Sequence, residues 1–149
     1  MEHPEPLILV VEDDVNDQSF IRRAFKQSGA VNRIAIVNDG EEATAYLRGF
    51  EIYADRLLHP LPRLIITDLK MPRMGGIELL EWMNARDEFR LIPTVVLTSS
   101  NDQADITRAF ERGAKGYMIK PVQFGDLEKL IHKIADYWKA SCVPCPKQA

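Results

Sequence analysis

Apolar residues come in short blocks that alternate between two spacings. Residues 7–11, Leu-Ile-Leu-Val-Val, form an unbroken run, as expected of a strand buried on both faces, and the run stops at Glu12, Asp13 and Asp14. Over residues 16–28, Phe20, Ile21, Ala24 and Phe25 recur at helical spacing, and Gly29 follows as a stop signal. The same alternation repeats. Strand-like runs cover 34–37, 64–67, 94–97 and 116–119, and helical spacing covers 41–48 (Ala43, Tyr46, Leu47), Ile77 to Met83, Ile106 to Phe110 and 124–138. Five strands alternating with five helices predict an α/β fold with a parallel sheet covered on both faces. One connection, residues 49–62, is long for such a unit and is expected on the surface, where it can serve contacts.

Composition narrows the class. The 149 residues suit one domain, and 46% hydrophobic with 28% charged residues is ordinary usage for a globular chain. A net charge of −3 lacks the basic surplus of a duplex-binding module, so no nucleic-acid partner is expected. The apolar runs are too short to span a bilayer and the N-terminus lacks a secretory pattern, which predicts a cytoplasmic protein with no membrane contact. Cys142 and Cys145 sit in a Pro-containing tail without a second ligand pair; two plain thiols are the expected reading. The expected division is one domain over residues 1–140 and a flexible tail over 141–149.

In open α/β sheets ligands bind beyond the carboxyl ends of the strands. Read in order, those ends are Glu12-Asp13-Asp14, Asp68, Thr98-Ser99 and Lys120. Adjacent carboxylates repel, and a hard divalent cation relieves them; Mg²⁺ prefers a few oxygens with waters and a phosphate. Asp14 and Asp39, taken singly, read as acids that cap a helix or stay solvated. Met71 and Met74 read as packing, since thioethers suit Mg²⁺ poorly.

The runs at 9–14 (Leu-Val-Val-Glu-Asp-Asp), 67–76 (Thr-Asp-Leu-Lys-Met-Pro-Arg-Met-Gly-Gly), 97–99 and 117–121 (Tyr-Met-Ile-Lys-Pro) resemble the receiver domain of two-component response regulators. The likeness spans roughly residues 6 to 138. The long loop before the third strand and the extended tail are similar to stand-alone receivers partnered with phytochrome-type histidine kinases.

The resemblance implies a doubly wound (βα)5 flavodoxin-like parallel sheet with strand order 2-1-3-4-5, and a role for each matching position. Asp68 is the aspartate that accepts a phosphoryl group from a kinase histidine. Asp13 is a direct Mg²⁺ ligand, Glu12 holds the metal's waters, and the Lys70 backbone carbonyl completes the coordination. Lys120 pairs with the acylphosphate, with Pro121, a cis proline, behind it. Thr98 is the switch hydroxyl and Tyr117 the switch aromatic. Such roles make physical sense, because phosphoryl transfer relies on positioning and charge neutralisation rather than on covalent work by the protein. The added charge draws Thr98 inward, and Tyr117 fills the space it leaves. Lys70 and Ser100 occupy positions that influence how fast the group is lost. Ser99 stands where a smaller residue is frequent, and its hydroxyl is expected to bond outward to a phosphate oxygen.

Three rival readings compete with this one. A haloacid-dehalogenase-type phosphatase needs a second Asp where Lys70 stands. A flavin site needs a hydroxyl- and glycine-rich phosphate loop where Glu12-Asp13-Asp14 stand. A degenerate receiver acting as a constitutive interaction module would be expected to lack one of the site residues, yet all are present. The expected protein is therefore a signalling phosphoacceptor rather than an enzyme. Its expected partners are a sensor histidine kinase and a downstream protein. The last helix, with Tyr137 and Trp138, is the candidate surface for a symmetric homodimer.

Overall fold

A computed structural model describes residues 7–28 and 33–141, with side chains to residue 136. The elements run β1 (Leu7–Val11), α1 (Val15–Gln27), β2 (Arg33–Val37), α2 (Gly40–Arg48), β3 (Leu64–Thr67), α3 (Gly76–Asn84), β4 (Thr94–Thr98), α4 (Gln103–Glu111), β5 (Gly116–Ile119) and α5 (Phe124–Ser141). All strand pairings are parallel, as the alternation predicts, and the order is β2-β1-β3-β4-β5, as the resemblance implies.

The unbroken apolar strands are explained by two opposed cores. Leu7, Leu9, Val11 and Ile65 point to one face, where Ala43, Tyr46 and Leu47 of α2 and Leu79 and Met83 of α3 cover them. Ile8, Val10, Leu64, Ile66 and Leu97 point to the other, covered by Ile21, Ala24 and Phe25 of α1 and by Leu127, Ile131 and Ile134 of α5. The period of two thus sends alternate residues of one strand into different helical layers. A smaller cluster of Leu69, Ile77, Leu80, Val96 and Ala109 seats α4, with Tyr117 packed against its edge. Met71 and Met74 pack on the first core, as expected.

Helix starts follow local chemistry. Asp14 accepts from the Asp17 N–H and Asp39 from the Glu42 N–H, so both cap helices as expected. Asp39 does more: it is buried, and one of its oxygens also takes both Arg73 Nη2 at 2.6 Å and Nε at 2.8 Å. The connection at 49–62 is less irregular than its composition suggests. It contains a 3₁₀ turn (Glu51–Tyr53), and Arg56 donates to the Tyr46, Leu47 and His59 carbonyls, closing the loop under α2. Gly29, Cys142 and Cys145 lie outside the described residues, as do the side chains of Tyr137 and Trp138.

Candidate functional site

Strand register decides what meets at the carboxyl edge. Val11 pairs with Thr67, and Thr98 with Ile119. The residues that follow are held by backbone bonds: the Asp68 N–H donates to Val11 O, and the Lys120 N–H to Thr98 O. The strand order reverses between β1 and β3, so Glu12 and Asp68 flank the point where the sheet opens.

The Lys120 ammonium sits at the centre of the group. It lies 2.6 Å from Glu12 Oε1, 2.8 Å from Asp68 Oδ2 and 2.8 Å from Asp17 Oδ2. Its three donors thus meet three carboxylates. Burial works against the charge, but the hydrogen bonds the ammonium donates to Asp17, Asp68 and Glu12 outweigh it and hold the lysine above its ordinary pKa. Asp68 is 9% exposed, and its other oxygen accepts the Leu69 N–H at 2.6 Å. Glu12 is almost wholly buried, which pushes its carboxyl up to about 7 despite the attraction of Lys120. Its second oxygen accepts the Asp14 N–H at 3.0 Å.

Glu12, Asp13 and Asp68 each offer a carboxylate oxygen, and these lie within 4.8 Å of one another. An all-oxygen donor set of three acids at the head of an open cleft fits a hard divalent cation. That cleft, about 490 Å³, also takes in Lys70, Thr98 and Ser99. The Lys70 side chain itself turns away to Asp105, 3.9 Å distant.

Next to the acids, the β4–α4 loop is bound to β5. Thr98 is buried, and its hydroxyl oxygen lies 3.4 Å from the Ser100 N–H. The Ser100 hydroxyl donates to Asp105 at 2.7 Å, while the Ser100 carbonyl accepts the Tyr117 hydroxyl at 2.8 Å. Ser99 is exposed, in the wall between the acid cleft and a neighbouring apolar cavity of about 440 Å³ framed by Phe20, Ile21, Leu97, Phe124 and Leu127.

The structure therefore brings Glu12, Asp13, Asp68, Thr98, Ser99 and Lys120 together. One expectation fails. The Lys120–Pro121 peptide is trans, since none of the described peptides is cis. The isomers of an X–Pro bond differ by only about 0.5–1 kcal/mol, so the packing around each proline chooses between them, and Lys120 reaches all three carboxylates from the trans form. Sequence reasoning also passed over Asp17. Its signal was its spacing: four residues after Asp13 at the start of a helix, it returns to the same side.

Residues 8–132 match the family model for the response regulator receiver domain. The chain is 37% identical over 132 residues to the probable methanogenesis regulatory protein FilR2 of Methanothrix harundinacea, covering 89% of this chain and 83% of that protein. It is 31% identical over 136 residues to response regulator Rcp1 of Synechocystis sp., covering 91% and 90%. The Mn²⁺-bound form of Rcp1 superposes with a TM-score of 0.82 at 30% identity over 94% of this chain and 98% of that one. The phosphorylated cyanobacterial phytochrome response regulator RcpA does so at 0.86, with 29% identity and the same coverage. The chain belongs to the receiver-domain family of two-component response regulators. Among the described residues, no helix is long and apolar enough to cross a membrane.

Proposed function

We propose that this protein is a receiver that takes a phosphoryl group onto Asp68 in a Mg²⁺-dependent reaction and passes the signal on through its surface. The observation that carries this reading is the placement of Asp68: its carboxylate takes the Lys120 ammonium at 2.8 Å and brings an oxygen within 4.8 Å of those of Glu12 and Asp13.

One Asp68 oxygen attacks the phosphorus of the donor. The bond to the donor's histidine nitrogen breaks, and its electron pair stays with the leaving imidazole. Asp13, Asp68 and the Lys70 carbonyl would hold the Mg²⁺, with Glu12 holding its waters; when bound, the ion supplies neutralisation of charge gathering on the phosphoryl oxygens. Lys120 offers the balancing charge from the opposite side. Thr98 then donates to a phosphoryl oxygen, and Ser99 adds a second donor from the cleft wall. Because Tyr117 is bonded to Ser100, a shift of Thr98 and its loop disturbs that bond and frees the aromatic ring to repack.

The surroundings of the cleft suit a protein donor. Val15 and Phe20 of α1, Ile119 at the end of β5 and Val122 just after it are large apolar side chains exposed at this edge. The likeness to the phytochrome response regulator RcpA supports a phytochrome-type histidine kinase as that donor, and a cytoplasmic setting goes with such a pairing. Acetyl phosphate with Mg²⁺ tests the chemistry. The native chain is expected to gain one phosphate by mass, with no gain in Asp68→Asn or in the presence of chelator. No gain on the native chain would instead favour a constitutive interaction module.

A further inference from the structure

Asp17 bonds the central ammonium of the site but stands outside its acidic cluster. Lys120 has three carboxylate partners: Glu12, Asp68 and Asp17. Two of them, Glu12 and Asp68, also belong to the trio whose oxygens converge within 4.8 Å; Asp17 does not. A carboxylate oxygen engaged by a cation or a phosphoryl group has less negative charge to offer an ammonium. Resting on the phosphoacceptor reading above, we propose that Asp17 is a positioning residue: it keeps the Lys120 ammonium at the acceptor once Glu12 and Asp68 are engaged elsewhere.

The local structure fits such an anchor. Asp17 is fixed in the first turn of α1, where its N–H donates to the capping Asp14 carboxylate at 2.9 Å. Helix α1 is itself buried against α5 through Ile21, Ala24 and Phe25. The carboxylate is therefore mounted on a rigid element and accepts from Lys120, directly after β5 and 103 residues away in sequence. Lysine has a long flexible stem, so an ammonium without a fixed partner spreads over several positions.

The test uses Asp17→Ala and Asp17→Asn in the full chain with saturating Mg²⁺. Acetylation of lysines by acetic anhydride, read by mass spectrometry, reports the freedom of Lys120 without any reference to phosphorylation; exposed Lys115 and Lys129 serve as internal standards. In Asp17→Ala, Lys120 should label about fivefold faster than in the native chain, relative to those standards. Phosphorylation by acetyl phosphate should slow about tenfold, in line with the cost of misplacing a charged group by a fraction of an ångström. Asp17→Asn keeps an acceptor oxygen and should fall between native and Ala on both measures. A merely structural role would raise labelling at every lysine together. If Asp17→Ala does not fold, Asp17→Asn decides on the same two readouts. Unchanged Lys120 labelling, or raised labelling with unchanged phosphorylation, would overturn the assignment. Failure of the native chain to take phosphate would refute the phosphoacceptor reading, while the labelling result would still judge the Asp17–Lys120 contact.

Discussion

The Tyr117 hydroxyl donates to the Ser100 carbonyl at 2.8 Å, so the aromatic ring of β5 is fastened to the loop two residues beyond Thr98. Ser100 is fastened in turn to Asp105 of α4 at 2.7 Å. A displacement of Thr98 thus has a short bonded route to both the α4 and the β5 surfaces. Tyr117→Phe removes the bond and keeps the ring. It should lower unfolding free energy by about 0.5–1.5 kcal/mol in urea titration, since one buried-edge hydrogen bond is lost. The rate of acetyl phosphate incorporation should stay within about twofold, because Tyr117 touches no reacting atom.

Glu12 gives the site a pH signature. Its carboxyl is raised to about 7 by burial, from an ordinary value of 4.5. Between those values the folded chain binds a proton that the unfolded chain has released. This contribution to stability is full below 4.5 and is lost as pH rises through about 7, so metal-free protein should lose stability across that window. Protonation and cation binding compete for the same group, so Mg²⁺ affinity should climb over the same range and level off above it. Calorimetric titration with Mg²⁺ at pH 5.5 and 8 checks this; Glu12→Gln should flatten the profile.

Arg73 holds a left-handed backbone, with φ of 70°, while pairing with the buried Asp39. Two opposing terms meet at one residue. Arg73→Ala loses the pair and keeps the backbone strain; Arg73→Gly loses the pair and relieves it. Both should be less stable than the native chain, with the Gly variant about 1 kcal/mol more stable than the Ala variant. Thermal unfolding of the three proteins measures the order.

Gly76 lies against the acceptor's own backbone. A methyl group there would run into the Asp68 carbonyl oxygen, and one at Gly75 would meet Leu69 O at 2.5 Å. Gly76→Ala must shift the segment from Asp68 to Lys70, at a cost of about 1–3 kcal/mol. Because that segment supplies both Asp68 and the Lys70 carbonyl, Mg²⁺ affinity should drop together with stability.

Much of this was readable in the sequence because the physics behind it is local. Apolar runs such as 64–67 declare strands buried on both faces, and a polar residue directly after each strand must fall on one edge of a parallel sheet. Glu12, Asp68, Thr98 and Lys120 were found that way, and their convergence followed from register. What escaped depends on three dimensions. Asp17 looks like any acidic residue in a first helical turn until Lys120 is seen to reach it. Asp39 looked like a simple cap because its Arg73 partner is 34 residues away. Arg56 likewise organises the 49–62 loop through carbonyls that no side-chain pattern advertises. The isomer of Pro121 belongs with these, since a small free-energy difference set by packing decides it.

The central claim is that Asp68 itself becomes the acylphosphate. After incubation with acetyl phosphate and Mg²⁺, borohydride reduction converts an aspartyl phosphate to homoserine, which peptide mass mapping places on the chain. Homoserine at position 68 and at no other aspartate is the predicted result. Homoserine at another residue, or none on a chain that has taken up phosphate, would contradict it.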